Sequence, residues 1–492
     1  GNETIEALAF CRSLVNCKTA IVQLFALLST CSLQQTAIQS RLNRLTGNRF
    51  TKRRMKAVIL IGGPQKGTRF RPLSFDLPKP LFPVAGRPMV QHLIEACTKV
   101  KNIKEIFLIG FYQNDDSLSQ FVTEMIDEYD VVIKYLQEYT SLGTAGGIYH
   151  FRDQIRRGNP EGFFLINGDV CGHFDLNEML VFHQKHGKLM TVMVTDATRQ
   201  QSLNYGCIVE DKNSNAILHY VEKPSTFVST TINCGIYLCD CKIFEHISEV
   251  YRKKHDENMF DEDEEFNVSS DSESGLNGNT NRLFKDKCDI ISFENDVLRP
   301  LAGSDLLYAY STHRWWSQIK TAGSAIYANR HYLDLFHKTH PQLLYQSTKT
   351  GPKIIGDVYI HKSAIVSASA TIGPNVSIGP SVKIGEGVRI KESIVLGFST
   401  IHDHSLIMHS IIGWKSIIGQ WTRIEGTLCD PNPNKAFAKM ENQNLFSGDG
   451  RLTPSITVLG SNVQVAPEII VLNSIVLPHK ELTRSYKNEI IL

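Results

Sequence analysis

The chain has 492 residues, 42% of them hydrophobic and 21% charged, and its 52 Lys and Arg against 50 Asp and Glu leave a net charge of +2. A single core stops growing well short of that length, so two or three domains are expected. Near-neutral charge gives no basic footprint for nucleic acid, and the apolar stretch Ala20–Leu28 is too short to span a bilayer, so neither a nucleic-acid nor a membrane partner is expected. The 11 cysteines are an odd number without paired C-x-x-C spacing, which argues against a zinc or disulfide framework and for reduced thiols in a cytoplasmic protein. Cys239 and Cys241 alternate along an apparent strand as small core hydrophobes.

In chain order, residues 1–54 carry no motif. They open on Gly1 rather than methionine, so the expectation is a fragment or a translated upstream segment, disordered or weakly amphipathic, outside the folded part. Arg41, Arg44, Arg49, Lys52, Arg53 and Arg54 follow the apolar stretch, the reverse of a signal peptide's order. From Met55 to about residue 340, short apolar runs (Ala57–Ile61, Ile106–Ile109, Val131–Tyr135, Phe163–Ile166, Met190–Val194) alternate with helical patterns such as Met89–Val100 and Leu118–Tyr129. Strands separated by helix-length crossovers predict an α/β, doubly wound, mostly parallel sheet with its ligand crevice at the strand C-termini. Asp256–Asn281, rich in Asp, Glu, Ser and Asn, reads as a solvated acidic loop. Asp261, Asp263 and Glu264 lack the glycine and glutamate spacing of an EF-hand.

The first strand runs into Gly62-Gly63-Pro64-Gln65-Lys66-Gly67-Thr68-Arg69-Phe70-Arg71-Pro72-Leu73, continuing to Pro78-Lys79-Pro80. Glycines there let backbone N–H groups approach a polyanion, and Arg69, Arg71 and Lys79 supply charge for phosphate oxygens. The string resembles the signature of the sugar-nucleotide pyrophosphorylases, Gly-Gly-X-Gly-Thr-Arg-Leu-Arg-Pro-Leu-Thr with a downstream Pro-Lys-Pro. Leu142-Gly143-Thr144-Ala145-Gly146, Leu165-Ile166-Asn167-Gly168-Asp169-Val170, Val221-Glu222-Lys223-Pro224 and Ile232-Asn233-Cys234-Gly235 extend that resemblance over 55–492. Their order is that of the guanylyltransferases that make GDP-mannose, and in particular of the regulatory alpha branch that partners a catalytic beta subunit. The resemblance implies a Rossmann-like nucleotidyltransferase domain that binds GDP-mannose within a homo- and hetero-oligomer. Gly62, Gly63, Gly67, Thr68, Arg69 and Lys79 would face the phosphates, with Arg69 and Lys79 the residual catalytic groups. Gly143, Thr144 and Asn167 would complete the ligand site, Asp169 would face a metal, and Glu222, Lys223 and Asn233 would face the sugar or its phosphate.

Two departures from the family pattern matter. Pro64-Gln65-Lys66 stand where the pattern has one residue, so the phosphate loop is two residues longer and carries a proline that removes a donor. Active relatives hold Mg²⁺ with the aspartate of Asn-X-Asp-Val and a second one in Trp-X-Asp-Ile-Gly. Trp316-Ser317-Gln318-Ile319-Lys320 matches the latter, so Gln318 replaces a carboxylate and Lys320 adds positive charge where the pattern has glycine. Nucleotidyl transfer develops charge that Mg²⁺ neutralises, and one carboxylate anchors Mg²⁺ less well than two. The expectation is a site that holds a nucleotide sugar but catalyses poorly, with Mg²⁺ binding weakened.

The last third repeats. Ile354, Ile360, Val366, Ile372, Ile378, Ile384, Ile390 and Leu396 recur every six residues, and Val358, Ala364, Ala370, Val376, Val382, Val388 and Ile394 keep the same period. Gly373, Gly379 and Gly385 read as corners. This predicts a left-handed parallel β-helix of hexapeptide repeats over 350–492, in three or so coils of about eighteen residues. Many such helices belong to acyltransferases that use a histidine, for which His361, His402, His404 and His409 would be candidates; an assembly and regulatory role fits better beside the nucleotide-sugar motifs. After Trp421-Thr422-Arg423-Ile424-Glu425-Gly426 the repeat is interrupted by residues 427–455. Their Asp430-Pro431-Asn432-Pro433-Asn434 matches a loop of the alpha subunits thought to reach toward the catalytic partner, and loops this long are commonly functional. Three readings stand at this point: a GDP-mannose-sensing regulatory subunit, an active mannose-1-phosphate guanylyltransferase, and a scaffold without ligand.

Overall fold

The computed structural model describes residues 54–64, 68–265, 290–348, 350–427, 445, 446, 448, 450 and 452–492, with the backbone alone at 255 and 257–265. The N-terminal 1–53, the loop residues Gln65, Lys66 and Gly67, and Asp430 to Asn434 lie outside the described residues.

A nine-stranded sheet forms the α/β part. Its strands are β1 (Met55–Gly62), β2 (Ile103–Gly110), β3 (Val132–Gln137), β4 (Gly162–Asn167), β6 (Met190–Asp196), β7 (Gly206–Glu210), β8 (Ile217–Glu222), β9 (Thr231–Asp240) and β10 (Leu307–Ser311), while β5 (Val170–Gly172) pairs separately with β11 (Trp316–Gln318). The order is β8-β7-β9-β4-β1-β2-β3, with β6 added beside β9 and β10 beside β6. β1 pairs in parallel with both β2 and β4, and Ala57, Val58 and Ile59 are fully buried between the two helical layers. A strand covered on both faces must read as a continuous apolar run, which is why Ala57–Ile61 shows no alternation.

The crossover helices follow from local signals. Met89–Thr98 buries Met89, Val90, Leu93, Ile94 and Cys97. Asp116–Tyr129 starts where the Asp115 carboxylate accepts from Leu118 N at 3.0 Å and stops at Asp130 in the left-handed region. The acidic stretch departs from expectation: the helix Ile243–Glu265 runs ten residues into it. The helix is nucleated by buried Ile243, Phe244 and Ile247, and strong helix formers such as Glu257, Met259 and Glu262 let it propagate where composition alone suggested a loop.

The C-terminal part is a three-sided parallel β-helix, two sides of seven strands and one of six, consistent with the left-handed form. It has roughly twice the three or so coils expected, and its period is not uniformly six. Ile372, Ile378, Ile384 and Ile390 point inward as expected, but Val395, not Leu396, takes the next core place, followed by Ile401, Ile407 and Ile412. One side is a residue short because its corner is tightened by serines: Ser393 Oγ donates to Lys391 O at 2.7 Å, Ser410 Oγ to Met408 O at 2.6 Å and Ser474 Oγ to Leu472 O at 2.7 Å. Gly379 and Gly385 are not the left-handed corners either. Gly373 does have a positive φ of 111°, and the other positive-φ positions of this stretch include Asn375, Ser381 and Gly387, while a Cβ at Gly379 would meet Gly397 N at 2.8 Å, so close coil approach is what requires glycine there.

The slipped register gives Leu396 and Ile394 another role. They join Ile411, Ile456 and Val458 in a core shared with Phe70, Phe82, Val84, Ile326 and Phe336 of the α/β part. Asn329, fully buried on the helix Ala322–Thr339, fastens this contact. Its Oδ1 accepts from Ala85 N at 2.9 Å and Ser377 Oγ at 2.6 Å, and its Nδ2 donates to Asn375 O at 3.2 Å. Arg330 Nε and one terminal NH₂ both donate to Glu392 Oε2, at 3.2 and 3.1 Å. The interrupting segment leaves the stack after Arg423–Glu425 and returns before Thr457–Leu459, its ends tied by Thr427 N donating to Ser455 O at 3.0 Å.

Candidate functional site

Parallel pairing sets the site. Leu60 stands opposite Asn167 in register, and Gly168 N donates to Leu60 O at 2.8 Å, so the glycine turn after β1 and the Asn167-Gly168-Asp169 turn after β4 open at one edge of the sheet. β5 and β11 then carry Val170 opposite Gln318, and Ile319 N donates to Asp169 O at 2.8 Å. A cleft of about 270 Å³ lies there, lined by Asn167, Asn204, Tyr205, Gly206, Glu222, Lys223, Asn233, Gly235, Ser292, Glu294, Asn295, Gln318 and Lys320. Asn167, Glu222, Lys223, Asn233 and Gln318 are thus brought together as the sequence suggested. Lys79 and Asp169 border them, while Gly62, Gly63, Thr68, Arg69, Gly143 and Thr144 are not in the lining.

Several of these side chains already have partners. Asn233 Nδ2 donates to Tyr237 OH at 2.8 Å and its Oδ1 accepts from Gly235 N at 2.8 Å, so this buried amide shapes the wall. Gly235 has φ +72°, and a Cβ there would meet Asn167 Nδ2 at 2.7 Å, so a side chain at 235 would displace the Asn167 amide. Glu222 is held from two sides, Oε2 accepting from Tyr220 OH at 2.7 Å and Oε1 paired with Lys223 Nζ at 2.8 Å. Thr144 Oγ1 accepts from Phe293 N at 2.7 Å and donates to Glu294 Oε2 at 3.0 Å, which fastens Glu294 into the lining.

The electrostatic centre is Asp169. Lys79 Nζ stands 3.6 Å from its Oδ2, and Gln318 Nε2 donates to its Oδ1 at 3.4 Å. Lys320 is half-buried in the same cleft, its ammonium 5.0 Å from the centre of the Tyr205 ring. Burial holds that ammonium below the ordinary lysine value, partly offset by the charge of Asp169. Among the described residues no group of three or more His, Cys, Asp or Glu could hold a metal ion. The donor set around Asp169 does not suit Mg²⁺: one carboxylate is flanked by an ammonium and an amide N–H, where a hard cation needs several oxygens.

Asn204, Tyr205, Gly206, Ser292, Glu294 and Asn295 were not singled out by the sequence. A Cβ at Gly206 would meet Tyr220 OH at 2.2 Å, and Asn-Tyr-Gly carries a turn signal, but nothing in the sequence places Glu294 beside Thr144. Of the four β-helix histidines none lines the cleft; His404 instead stacks on Trp421 at 4.4 Å. None of the described cysteines is in a disulfide; Cys97, Cys171, Cys207, Cys234 and Cys239 are buried and Cys241 is half-buried. Among the described residues no helix is long and apolar enough to cross a membrane.

Residues 56–279 match the nucleotidyl transferase family and residues 354–491 the GMPPB C-terminal domain. The chain is 55% identical over 440 residues to the mannose-1-phosphate guanylyltransferase regulatory subunit alpha-A of Danio rerio, covering 89% of this chain and 100% of that protein. It is 55% identical over 451 residues to the regulatory subunit alpha of Drosophila melanogaster and 52% over 438 residues to that of Rattus norvegicus, again covering 89% of this chain and 100% of each relative. A Rossmann-like nucleotidyltransferase sheet followed by a hexapeptide β-helix, matched over the full length of these relatives, shows that the chain belongs to the family of mannose-1-phosphate guanylyltransferase regulatory subunits alpha.

Proposed function

We propose that this chain is a cytoplasmic, catalytically impaired regulatory subunit that binds GDP-mannose in the cleft and restrains a catalytic beta partner within a hetero-oligomer. The observation that carries this reading is the amide of Gln318 donating to Asp169 Oδ1 at 3.4 Å, where productive nucleotidyl transfer calls for oxygens around a divalent cation. The rest of the cleft remains suited to a nucleotide sugar. Carboxylates of Glu222 and Glu294 and amides of Asn167 and Asn204 offer hydrogen bonds to sugar hydroxyls, and Lys79, Lys223, Lys320 and Arg69 supply charge for a diphosphate. Its polarity speaks against a scaffold that has shed its ligand.

Restraint of a partner requires that GDP-mannose favour one arrangement of the assembly over another, with coupling typically about 1–3 kcal/mol. The segment 427–455, whose ends are tied by Thr427 N donating to Ser455 O, is the element proposed to carry that coupling to the partner. The test is calorimetric titration of the purified chain with GDP-mannose, repeated with UDP-glucose and ADP-glucose, beside an assay of GTP plus mannose 1-phosphate turnover. Selective GDP-mannose binding with negligible turnover is the expected result. Turnover at the ~10 per second typical of enzymes, or absence of binding, would overturn it.

A further inference from the structure

Among the cations of the cleft, Lys320 is the one whose setting differs from that of a surface lysine. Lys320 sits two residues past β11, and its backbone is fixed because Ile319 N donates to Asp169 O at 2.8 Å and Lys320 N to Gln318 O at 3.1 Å. The side chain lies along the face of Tyr205, itself braced edge-on by buried Trp316 at 5.5 Å. Lys320 is half-buried, and the carboxylates nearest the cleft are paired with other lysines, Asp169 with Lys79 at 3.6 Å and Glu222 with Lys223 at 2.8 Å. A desolvated ammonium in a cleft wall whose neighbouring carboxylates are paired elsewhere is an incomplete arrangement. Lys79 stands 3.6 Å from Asp169, and Lys223 and Lys320 line the adjoining cleft, so three lysines gather near Asp169.

Resting on the reading of this cleft as a nucleotide-sugar site, we propose that the Lys320 ammonium takes the place a divalent cation would hold, so that the diphosphate of a nucleoside diphosphate sugar binds here without metal. Lys79 neutralises Asp169 at 3.6 Å, which leaves Lys320 to meet the ligand's anionic oxygens, with Lys223 in the same lining. A fixed ammonium stabilises a bound diphosphate but is a single point charge with no open coordination positions. It therefore favours retention of the product-like ligand over transfer. Gln318 completes the exchange by turning an N–H, not an oxygen, toward Asp169.

The experiment titrates GDP-mannose into the full chain by calorimetry, once in EDTA and once in millimolar Mg²⁺, with the parent, Lys320→Met and Lys320→Arg. Affinity of the parent should agree within about threefold between the two buffers. Lys320→Met should weaken binding in EDTA by tenfold or more, while guanosine, which lacks phosphate, should distinguish parent from variant by less than twofold. Lys320→Arg keeps the charge and should stay within a few-fold of the parent, which separates loss of charge from loss of fold. Parent binding that requires Mg²⁺, or Lys320→Met binding within twofold of the parent in EDTA, would overturn the role of Lys320 while leaving the cleft a nucleotide-sugar site. No binding in either buffer would overturn that site and this inference together.

Discussion

Gln318→Asp returns a second carboxylate to the cleft, and the geometry states what it should do. Gln318 Nε2 now lies 3.4 Å from Asp169 Oδ1, and an aspartate is one methylene shorter. Two carboxylates about 4–5 Å apart repel by roughly 3–4 kcal/mol at the effective dielectric of ~20 that suits partly exposed sites. Lys79 beside Asp169 and Lys320 nearby cancel about half of this, leaving a folded-state cost of about 2 kcal/mol without metal. A divalent cation bound between the two carboxylates would reverse the sign, because a ligand at 100 times its Kd stabilises by about 2.7 kcal/mol. Thermal unfolding followed by tryptophan fluorescence, in EDTA and in rising Mg²⁺ or Mn²⁺, reads both effects. The variant should melt a few degrees below the parent in EDTA and recover with metal, and the parent should not respond. Turnover should remain negligible in the variant, since the enlarged loop at Pro64-Gln65-Lys66 is unchanged. A parent that responds to Mg²⁺ as strongly as the variant, or a variant with enzyme-like turnover, would refute the reasoning.

Asn329→Ala deletes three hydrogen bonds, two of them buried, at the junction of sheet and β-helix and leaves their partners unsatisfied, so a loss of about 3–5 kcal/mol is expected in urea unfolding; a loss below ~1 kcal/mol would show that the junction does not depend on it. Burial pushes the His92 imidazole down to about 4 from 6.5, so between those values the unfolded chain takes up a proton that the folded chain refuses. Stability should fall as pH drops from 6.5 toward 4 and level off below, and His92→Gln should flatten that slope in urea titrations across the range. A chain beginning at Met55 should keep nucleotide-sugar binding and partner assembly; loss of either by a folded truncation would assign residues 1–54 a role. Replacing 427–455 with a short Gly-Ser turn should preserve GDP-mannose binding and raise the complex's activity at high product, whereas Lys223→Ala should weaken binding itself. Equal product restraint in the loop-deleted complex would sink the route through this segment.

What the sequence determined by itself is local and periodic. Apolar runs at crossover spacing specify a parallel sheet whatever the details of packing, because a strand buried on both faces has no room for polar residues. Six-residue repetition likewise specifies stacked coils, since each coil can bury its aliphatic side only against another. The glycine turn after β1 with Lys79 was legible from its glycines and basic residues, whereas Asn167, Asp169, Glu222, Lys223 and Asn233 were reached only through resemblance to the sugar-nucleotide pyrophosphorylases. Tertiary structure decided the rest. That Glu294 enters the cleft through Thr144 and that Lys320 lies on Tyr205 depend on contacts between residues far apart in the chain, and that Asn233 is spent on Tyr237 and Gly235 depends on how the strand is packed. The one-residue slip that turns Leu396 out of the β-helix and into the shared core shows the same limit. Period alone placed it inside, and only packing against the helix Ala322–Thr339 could turn it around, because burying an aliphatic side chain is equally favourable in either core.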